Sequence, residues 1–562
     1  MIEQVTPQLL SISLLLVMIA SLPITALVSL LLLWRYRLAV TRSMHHRAGE
    51  AASGGMEIAP PPAVIAGEFS RSDHLRRALG APRRDALIYV VAILVAALPL
   101  SLVAQSVFQT QLGVAGFVIG VAVYSWPAVA ICLLLVPRPL IHGAGLLAAY
   151  FLIYVGLSLW AATIQNVSGG VLLEDRSGVT PQAMMGLWIS VNALPTLLCG
   201  LCFLPLVRSI AGLVLAMVSL LISGFWFATN LLITRPVLLA LERFSIASGV
   251  GMVELAALGL VLVVLLLLVA GWQLTCLLTA AHRRQRVSDR SLYLDAAYLI
   301  FLSMYTLWLV LGGLVWLLCL PLAFGIYKLM LWVLRRLLLQ RQIPRNLCFL
   351  RVFALGRRSL RLLEAVAGYW RSIGSIQLIV GPDVATRTVR PDQFLAFLGR
   401  RLGQKFVSNR QSLLEAVQAM DRLPDPDGRF RINTLFCYQD TWQSALPSLL
   451  RSGEMVLMDL RGFSDAAAGC REELNFIAAH VPAEQCLLLV DSSTDRDYLN
   501  RTLQQALAAV PADGCNASLK SDDFPRFEFR HGDAAIRKLV SRLCCTTHAT
   551  PAQSEALQHG IR

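Results

Sequence analysis

The residues best suited to chemistry lie in one stretch of the C-terminal half. Met455–Leu460 is an apolar run with the length of a buried strand rather than of a helix. Asp459 and Arg461 place opposite charges where that strand ends, and a helical pattern follows over 468–480. Ligands of open α/β sheets bind outside the carboxyl ends of the strands. The stretch therefore predicts a ligand site without identifying the ligand.

The surrounding sequence alternates between strand and helix patterns. Strands are predicted at 347–353, 376–380, 431–438, 455–460, 486–490 and 527–530. This alternation is typical of a doubly wound, Rossmann-like domain with a mainly parallel sheet and helices on both faces. All strands of such a sheet end at one edge. The candidate cofactor-binding residues near the strand ends are Gly356, Arg357, Asp383, Asp459, Arg461 and Asp491.

Two explanations fit these polar residues. Arginines at a helix N-terminus that follows a glycine can hold a phosphate, and carboxylates there can bind ribose hydroxyls or a metal. Asp, Ser and Thr are also preferred N-caps, which would explain Ser359 and Thr494 without a ligand. Capping is an equal explanation for any single residue. For the edge as a whole, we favour a ligand-binding cleft.

Several motifs that would identify an enzyme class are missing from the sequence. It contains no GxxxxGK[ST], no GxGxxG after the first strand, no HExxH and no GxSxG. P-loop ATPases, metalloproteases and α/β-hydrolases are therefore disfavoured. The twelve cysteines include one CxxC, Cys199 and Cys202, which lies in an apolar segment without a second pair. We predict no metal site, and unpaired cysteines suit a reducing compartment.

The composition predicts a membrane protein. The chain has 562 residues, 56% of them hydrophobic and 15% charged, against about 25% charged in average globular proteins. Residues 1–338 form a series of long apolar segments, which predicts an all-α polytopic membrane region in the cell membrane. Residues 339–545 have the mixed polar and apolar composition of a soluble α/β domain, and residues 546–562 are predicted to form a loose tail.

Nine spans are predicted, since about 20 mainly apolar residues cross a bilayer. Seven lie at 9–34, 86–107, 114–136, 140–163, 184–206, 210–234 and 253–279, and the last two share 292–334. Gly312-Gly313 would divide this last stretch into a hairpin, whereas Pro321 favours one long kinked helix. Asp295 is interpreted as a solvated residue near a span end, and Glu254 and Lys328 as side chains that reach the interface.

Arginine distribution predicts the orientation. Loops 35–85 and 280–291 and the turns at Arg138 and Arg208 are rich in arginine, and the opposite loops are not. The positive-inside rule therefore places the N-terminus outside and everything after Leu334 in the cytoplasm. This result favours the hairpin. It also accounts for much of the net charge of +14, so we predict the lipid bilayer as a partner and no nucleic acid.

The segment Cys470-Arg-Glu-Glu473-Leu474, following an apolar strand and a loop, resembles the TIR (Toll/interleukin-1 receptor) domain family. In that family a helix after a strand carries a Cys-x-x-Glu-Leu pattern, and some members use its glutamate to cleave NAD between nicotinamide and ribose. The resemblance implies a TIR-like fold, with Glu473 as the catalytic residue and Glu472 as the alternative. Gly469 replaces the family's usual tryptophan, and the strand at 431–438 is additional. On the other interpretation, both glutamates are exposed acids favoured by the helix dipole.

Three functions follow as hypotheses. The first is a membrane-tethered, TIR-like signalling or nucleotide-handling domain, with NAD or another nucleotide as its ligand. The second is a transporter or channel with a cytoplasmic regulatory domain. The third is a non-catalytic module that assembles at the membrane. Self-association through the cytoplasmic domain is compatible with all three.

The orientation gives a direct prediction. A reporter fused after residue 312 should be outside the cell and one fused after residue 340 inside, because 292–334 would then cross the membrane twice. Enzymatic reporters active on only one side measure this. Finding both reporters on the same side would leave a single crossing in this stretch.

Overall fold

The computed structural model of the protein describes most of the chain. The described residues are 30–43, 71–108, 113–135, 140–168, 181–200, 235–310, 314–339, 344–352, 357–380, 402–438, 441–450, 455–512 and 514–545, with 27, 221, 224, 228, 232, 393, 394 and 397 as single positions. The chain forms two compact units. The helical unit comprises 1–34, 83–339 and 390–392, and the α/β unit comprises 35–82, 340–389 and 393–562.

The change of unit at Leu339–Gln340 falls beside the predicted domain boundary at 338/339. Residues 35–82, in contrast, belong to the α/β unit. The sequence predicts them to be part of the membrane region.

Helices account for nearly all of the described residues before 340. They are α1 (30–43), α2 (Arg71–Phe108), α3 (Gly113–Tyr124), α4 (Trp126–Leu135), α5 (Leu140–Ser168), α6 (Pro181–Gly200), α7 (Arg235–Ser248), α8 (Met252–Arg283), α9 (Asp289–Val310) and α10 (Cys319–Leu338). Five helical stretches in the described part are long and apolar enough to span a membrane: Leu75–Val107, Gly113–Leu133, Gly143–Thr163, Gln182–Gly200 and Met252–Arg283.

These five stretches correspond to five of the predicted spans. The predicted spans at 9–34 and 210–234 lie almost wholly outside the described residues, as do Gly312 and Gly313. The last two predicted spans coincide with α9 and α10. Both helices carry charged residues: Asp289, Arg290 and Asp295 in α9, and Lys328, Arg335 and Arg336 in α10.

Helices α9 and α10 form a hairpin rather than one kinked helix. Asp295 accepts hydrogen bonds from Tyr327 Oη at 3.0 Å and from Lys328 Nζ at 2.6 Å. A continuous helix would separate residues 295 and 328 by about 50 Å at 1.5 Å per residue, so only an antiparallel return brings them together. The interpretation of Asp295 as a solvated end residue is therefore wrong: the residue is buried and paired with Lys328.

The predicted span 114–136 is broken at Ser125, between α3 and α4. Pro127 has no N–H, so the carbonyl of Val123 loses its helical donor. Asn192 of α6 supplies the replacement, donating from Nδ2 to Val123 O at 3.2 Å. Its other side-chain atom, Oδ1, accepts from Tyr305 Oη at 2.7 Å. The buried side-chain amide of Asn192 thus joins the broken helix to α6 and α9. In apolar surroundings, a backbone carbonyl that has lost its helical donor needs another hydrogen-bond partner.

The α/β unit contains a seven-stranded sheet in which every described pairing is parallel. Its strands are β1 (Leu347–Arg351), β2 (Ile376–Val380), β3 (Phe406–Val407), β4 (Ile432–Cys437), β5 (Met455–Asp459), β6 (Cys486–Val490) and β7 (Arg526–Glu528), in the order β3-β4-β2-β1-β5-β6-β7. The six predicted strands and the parallel sheet are confirmed. Strand β3 was not predicted, because two residues are too few to show the alternation of side chains that identifies a strand.

The helices of this unit are α11 (Arg357–Trp370), α12 (Arg410–Gln418), α13 (Trp442–Leu450), α14 (Ala468–His480), α15 (Arg496–Ala508) and α16 (Asp533–Cys545). Alternate residues of a strand point to opposite faces of a sheet. Even-numbered residues of β1 and β5, such as Leu350 and Met458, form one buried core with residues of α13, α14 and α15. Odd-numbered Asp459 contacts Ser359 of α11 instead. Helices therefore cover both faces of the sheet.

Replacing Asn192 with Ala should destabilise the helical unit by about 1–2 kcal/mol, the upper range for polar contacts between membrane helices. The change leaves Val123 O and Tyr305 Oη without the partner they have now. Thermal unfolding of the detergent-solubilised protein measures the loss. Ser190→Ala is the control, because among the described residues Ser190 Oγ bonds to Leu187 O of its own helix. Equal melting of the two variants would contradict the prediction.

Candidate functional site

The candidate site lies at the carboxyl ends of β1 and β5, where the chain changes direction across the sheet. From β1 the chain proceeds to β2 on one side, whereas β6 and β7 follow β5 on the other side. The two strands are parallel neighbours, with Arg351 in register with Asp459. Helix α11 follows β1 on one face, and α14 follows β5 on the opposite face. We call this position the switch-point site.

A buried ion pair closes the end of β5. Arg461 donates from Nε to Asp459 Oδ1 and from Nη2 to Asp459 Oδ2, both at 2.7 Å. Ser359 Oγ of α11 also donates to Asp459 Oδ2, at 3.0 Å. The Arg461 guanidinium lies 5.0 Å from the centroid of the Phe529 ring. Both residues were predicted to bind a cofactor, but in this arrangement their charges bind each other.

Gly462 makes the turn after this pair. Its φ of +70° lies in the left-handed region, which a residue without Cβ adopts without strain. The chain can therefore reverse directly after Arg461 while the arginine side chain folds back onto Asp459.

A second ion pair lies beside the first and is more accessible. Asp491, the residue after β6, accepts from Arg358 Nη2 and from the backbone N–H of Ser493 at 2.9 Å. Arg358 Nη1 also donates to Ser493 Oγ at 3.2 Å. Burial alone would raise the pKa of Asp491, but the Ser493 hydrogen bonds and the Arg358 and Arg461 charges outweigh it and lower that pKa. Asp491 is therefore a carboxylate at neutral pH, and the Arg358 side chain is 36% exposed.

The capping explanation does not hold for the two residues it was meant to explain. Ser359 is the third residue of α11, and its hydroxyl reaches Asp459. Thr494 accepts from the N–H of Asp491 at 3.1 Å and donates to Leu460 O at 3.0 Å. The N-cap of α15 is Asp495, which accepts from Tyr498 N. Ser359 thus binds the first turn of α11 to the end of β5, and Thr494 binds the end of β6 to the end of β5.

Glu473 of α14 is buried, with 1% of its surface exposed. The interpretation of both glutamates as exposed acids is therefore wrong for Glu473. It holds for Glu472, which is exposed and accepts a hydrogen bond from Gln443. The α14 spacing could have indicated this difference, because Glu473 lies three residues after Cys470 and four before Ile477, on the buried face.

The environment of Glu473 keeps its side chain mostly protonated at neutral pH. Burial raises its pKa from 4.5 to about 8, although the Arg351 charge and a hydrogen bond with Cys470 act in the opposite direction. Cys470 Sγ lies 3.4 Å from Arg351 O, which connects α14 to the end of β1. Among the described residues, none is within hydrogen-bonding distance of Glu473 Oε2. A buried polar atom without a partner is uncommon and marks a place where a ligand or water could bind.

The remaining predicted site residues are only partly described. Arg357 begins α11, but its side chain lies outside the described residues, as do Gly356 and Asp383. Of the predicted set, the structure brings Asp459, Arg461 and Asp491 to one edge of the sheet.

The candidate list missed Arg351 and Arg358. Arg351 could have been noticed as a charged residue inside an otherwise apolar strand. Within the described part of the chain, no group of three or more His, Cys, Asp and Glu side chains could hold a metal ion.

Comparison with known proteins adds no relative. The sequence matches no protein-family model, and neither a curated protein nor a solved structure matches it.

The raised pKa of Glu473 predicts a pH-dependent stability. The folded state holds a proton that the unfolded chain releases above about pH 4.5, so the free energy of unfolding should fall as the pH rises toward about 8 and level off above it. The slope contributed by this group reaches at most about 1.4 kcal/mol per pH unit. Glu473→Gln keeps the neutral form and should remove this contribution.

Denaturant unfolding of wild type and variant from about pH 5 to pH 8 measures the difference. Glu472→Gln is the matched control, since it makes the same chemical change on the exposed neighbour. If Glu473→Gln and Glu472→Gln change stability with pH in parallel, Glu473 does not hold the proton.

Proposed function

We propose that this protein is an integral membrane protein whose C-terminal α/β unit binds a nucleotide in the cytoplasm at the switch-point site. The observation that carries the proposal is the meeting of Arg358, Asp491 and Ser493 at the ends of the strands. A second observation supports it: buried Glu473, on the helix that follows β5, has one oxygen without a described partner. The membrane helices hold this unit at the bilayer surface, as a signalling or nucleotide-handling module.

The sheet order supports a doubly wound fold for the unit. Strands β2-β1-β5-β6-β7 follow the order 2-1-3-4-5 of flavodoxin-like sheets, and β4 and β3 extend the β2 side. Proteins with that order bind their ligands between the first strand and the strand beside it on the return side. The corresponding position here is the boundary of β1 and β5.

The side chains at this position have the chemistry that a nucleotide requires. Arg358 lies in the first turn of α11, a helix of 14 residues, where the helix dipole and a guanidinium both attract phosphate. Asp491 is ionised and can accept hydrogen bonds from ribose hydroxyls. Ser493 is exposed and can donate to a phosphate or accept from a hydroxyl. A bound phosphate would take over the Arg358 contact that Asp491 now has.

Glu473 gives the proposal its catalytic form, the cleavage of NAD between nicotinamide and ribose. Positive charge develops on the ribose as nicotinamide leaves, and an ionised carboxylate beside it would stabilise that charge. Because the pKa of Glu473 is raised to about 8, the ionised form is the minor one at neutral pH. If ionised Glu473 is required, kcat/KM should rise with pH through about 8 and level off above it.

Nicotinamide release from NAD tests this form of the proposal. With the full-length protein in liposomes, Glu473→Gln should reduce release by about 10²–10³-fold, the usual loss on removing one electrostatic stabiliser. Glu472→Gln should retain wild-type release, because its side chain is exposed and held by Gln443.

Binding is measured separately by thermal stabilisation with NAD and with ADP. Arg358→Met should weaken this stabilisation, while the exposed Arg501→Met should not. Stabilisation without nicotinamide release would reduce the proposal to a nucleotide-binding module. Absence of both effects would leave a non-catalytic assembly module at the membrane.

A further inference from the structure

The buried polar groups of the helical unit fall into two classes. Those around the α3–α4 break bind each other: Trp126 Nε1 donates to Thr196 Oγ1 at 2.7 Å, and Tyr150 Oη donates to Ala122 O at 2.8 Å. Such contacts satisfy backbone and side chain together and need no ligand. Two hydroxyls of α9 differ, because Tyr298 Oη and Thr306 Oγ1 are buried and have no hydrogen-bond partner among the described residues.

Asp295 of α9 lies one helical turn from Tyr298 and carries a carboxyl group in the same interior. Its side chain is 12% exposed and is held by Lys328 and Tyr327 of α10. The Tyr298 ring packs on the Tyr327 ring with 4.4 Å between centroids. Asp295, Tyr327, Lys328 and Tyr298 thus form one cluster, which we call the carboxylate cluster.

Packing alone does not explain this cluster. The hairpin already buries apolar side chains on both helices, including Leu294, Leu302, Ala323 and Leu331. Moving two charges out of water often costs more free energy than the attraction between them restores. A buried ion pair is therefore weak evidence for a stabilising role. Within membranes, ionisable residues usually belong to ion or proton pathways.

The partners of Asp295 allow its charge to change. The Lys328 side chain is 41% exposed, so its ammonium group can turn to solvent or to the lipid interface when the carboxylate no longer holds it. Tyr298 Oη has no competing partner among the described residues and can hydrogen-bond to a neutral carboxyl group.

We propose that the carboxylate cluster is a proton-binding site through which the helical unit carries protons across the membrane. A proton from water bonds to Asp295 Oδ2, and the Lys328 contact breaks while the ammonium group keeps its own protons. The neutral carboxyl group is then held by Tyr327 and Tyr298. Release of the proton to water restores the carboxylate and the Lys328 contact.

The charged and titratable groups around Asp295 come from four helices. Lys328, Tyr327 and Arg335 belong to α10, Tyr298 to α9, Tyr89 to α2 and Cys199 to α6. Arg335 Nη2 donates to Tyr89 Oη at 2.7 Å. Lys328 contacts Asp295 directly at 2.6 Å, so in this proposal it is the cation that exchanges with the proton.

Proton flux into liposomes tests the proposal with the full-length protein. A pH-sensitive dye inside the vesicles reports acidification driven by a valinomycin-induced potassium diffusion potential. Wild type should acidify the vesicles faster than protein-free liposomes. The double variant Asp295→Asn/Lys328→Gln removes both charges without leaving one of them unpaired, and it should reduce the rate to that of protein-free vesicles.

Two further variants control the interpretation. Glu254→Gln makes the same kind of change at an exposed position at the start of α8 and should acidify like wild type. Tyr298→Phe removes a hydroxyl without a described partner, so it should fold normally and slow the flux.

The proposal is overturned if wild type is no faster than protein-free vesicles, if the double variant or Tyr298→Phe matches wild type, or if Glu254→Gln loses the flux equally. Failure here is distinguishable from failure of the nucleotide proposal. Flotation of the vesicles reports membrane insertion, and nucleotide stabilisation is measured on the same preparations without a potential.

Discussion

The α/β unit depends on the buried pair of Asp459 and Arg461. Two hydrogen bonds of 2.7 Å connect the side chains, and Ser359 adds a third contact from α11, the helix that follows β1. A buried carboxylate or guanidinium left alone would carry a large desolvation cost, so each residue requires the other. This pair fixes the ends of β1 and β5 relative to α11, and the more accessible groups of Arg358 and Asp491 are built on it.

Glu473 differs from Asp459 because its buried carboxyl group is not fully hydrogen-bonded by the described residues. Its carboxyl group is buried beside Cys470 and Arg351, yet one oxygen has no described partner and the pKa is raised. Burying a carboxyl group without full hydrogen bonding costs stability, whereas an apolar residue at this face of α14 would not. An acid at this position is therefore easier to explain by chemistry than by packing. Perturbed carboxyl groups in such positions are characteristic of functional sites.

In the helical unit, a buried backbone carbonyl likewise requires a hydrogen-bond partner. Pro127 removes a donor inside an apolar segment, and Asn192 compensates by binding Val123 O and Tyr305 together. The polar groups around this break are paired, whereas Tyr298 Oη has no partner among the described residues. A charge held by a partly exposed lysine, in one cluster with a hydroxyl that has no described partner, is the arrangement from which we propose proton exchange.

Much of this architecture is local in origin and was accessible from the sequence. Apolar runs of sufficient length predicted helices, and alternating patterns predicted six of the seven strands, with α14 correct at both ends. The helical spacing of α14 also places Glu473 on the buried face of that helix. Pairings between distant segments were decided by the tertiary structure: Asp295 with Lys328, Arg358 with Asp491, and β1 between β2 and β5. The reason is that periodicity reports which face of an element is buried, whereas the partner of a buried charge depends on which elements the fold brings beside it.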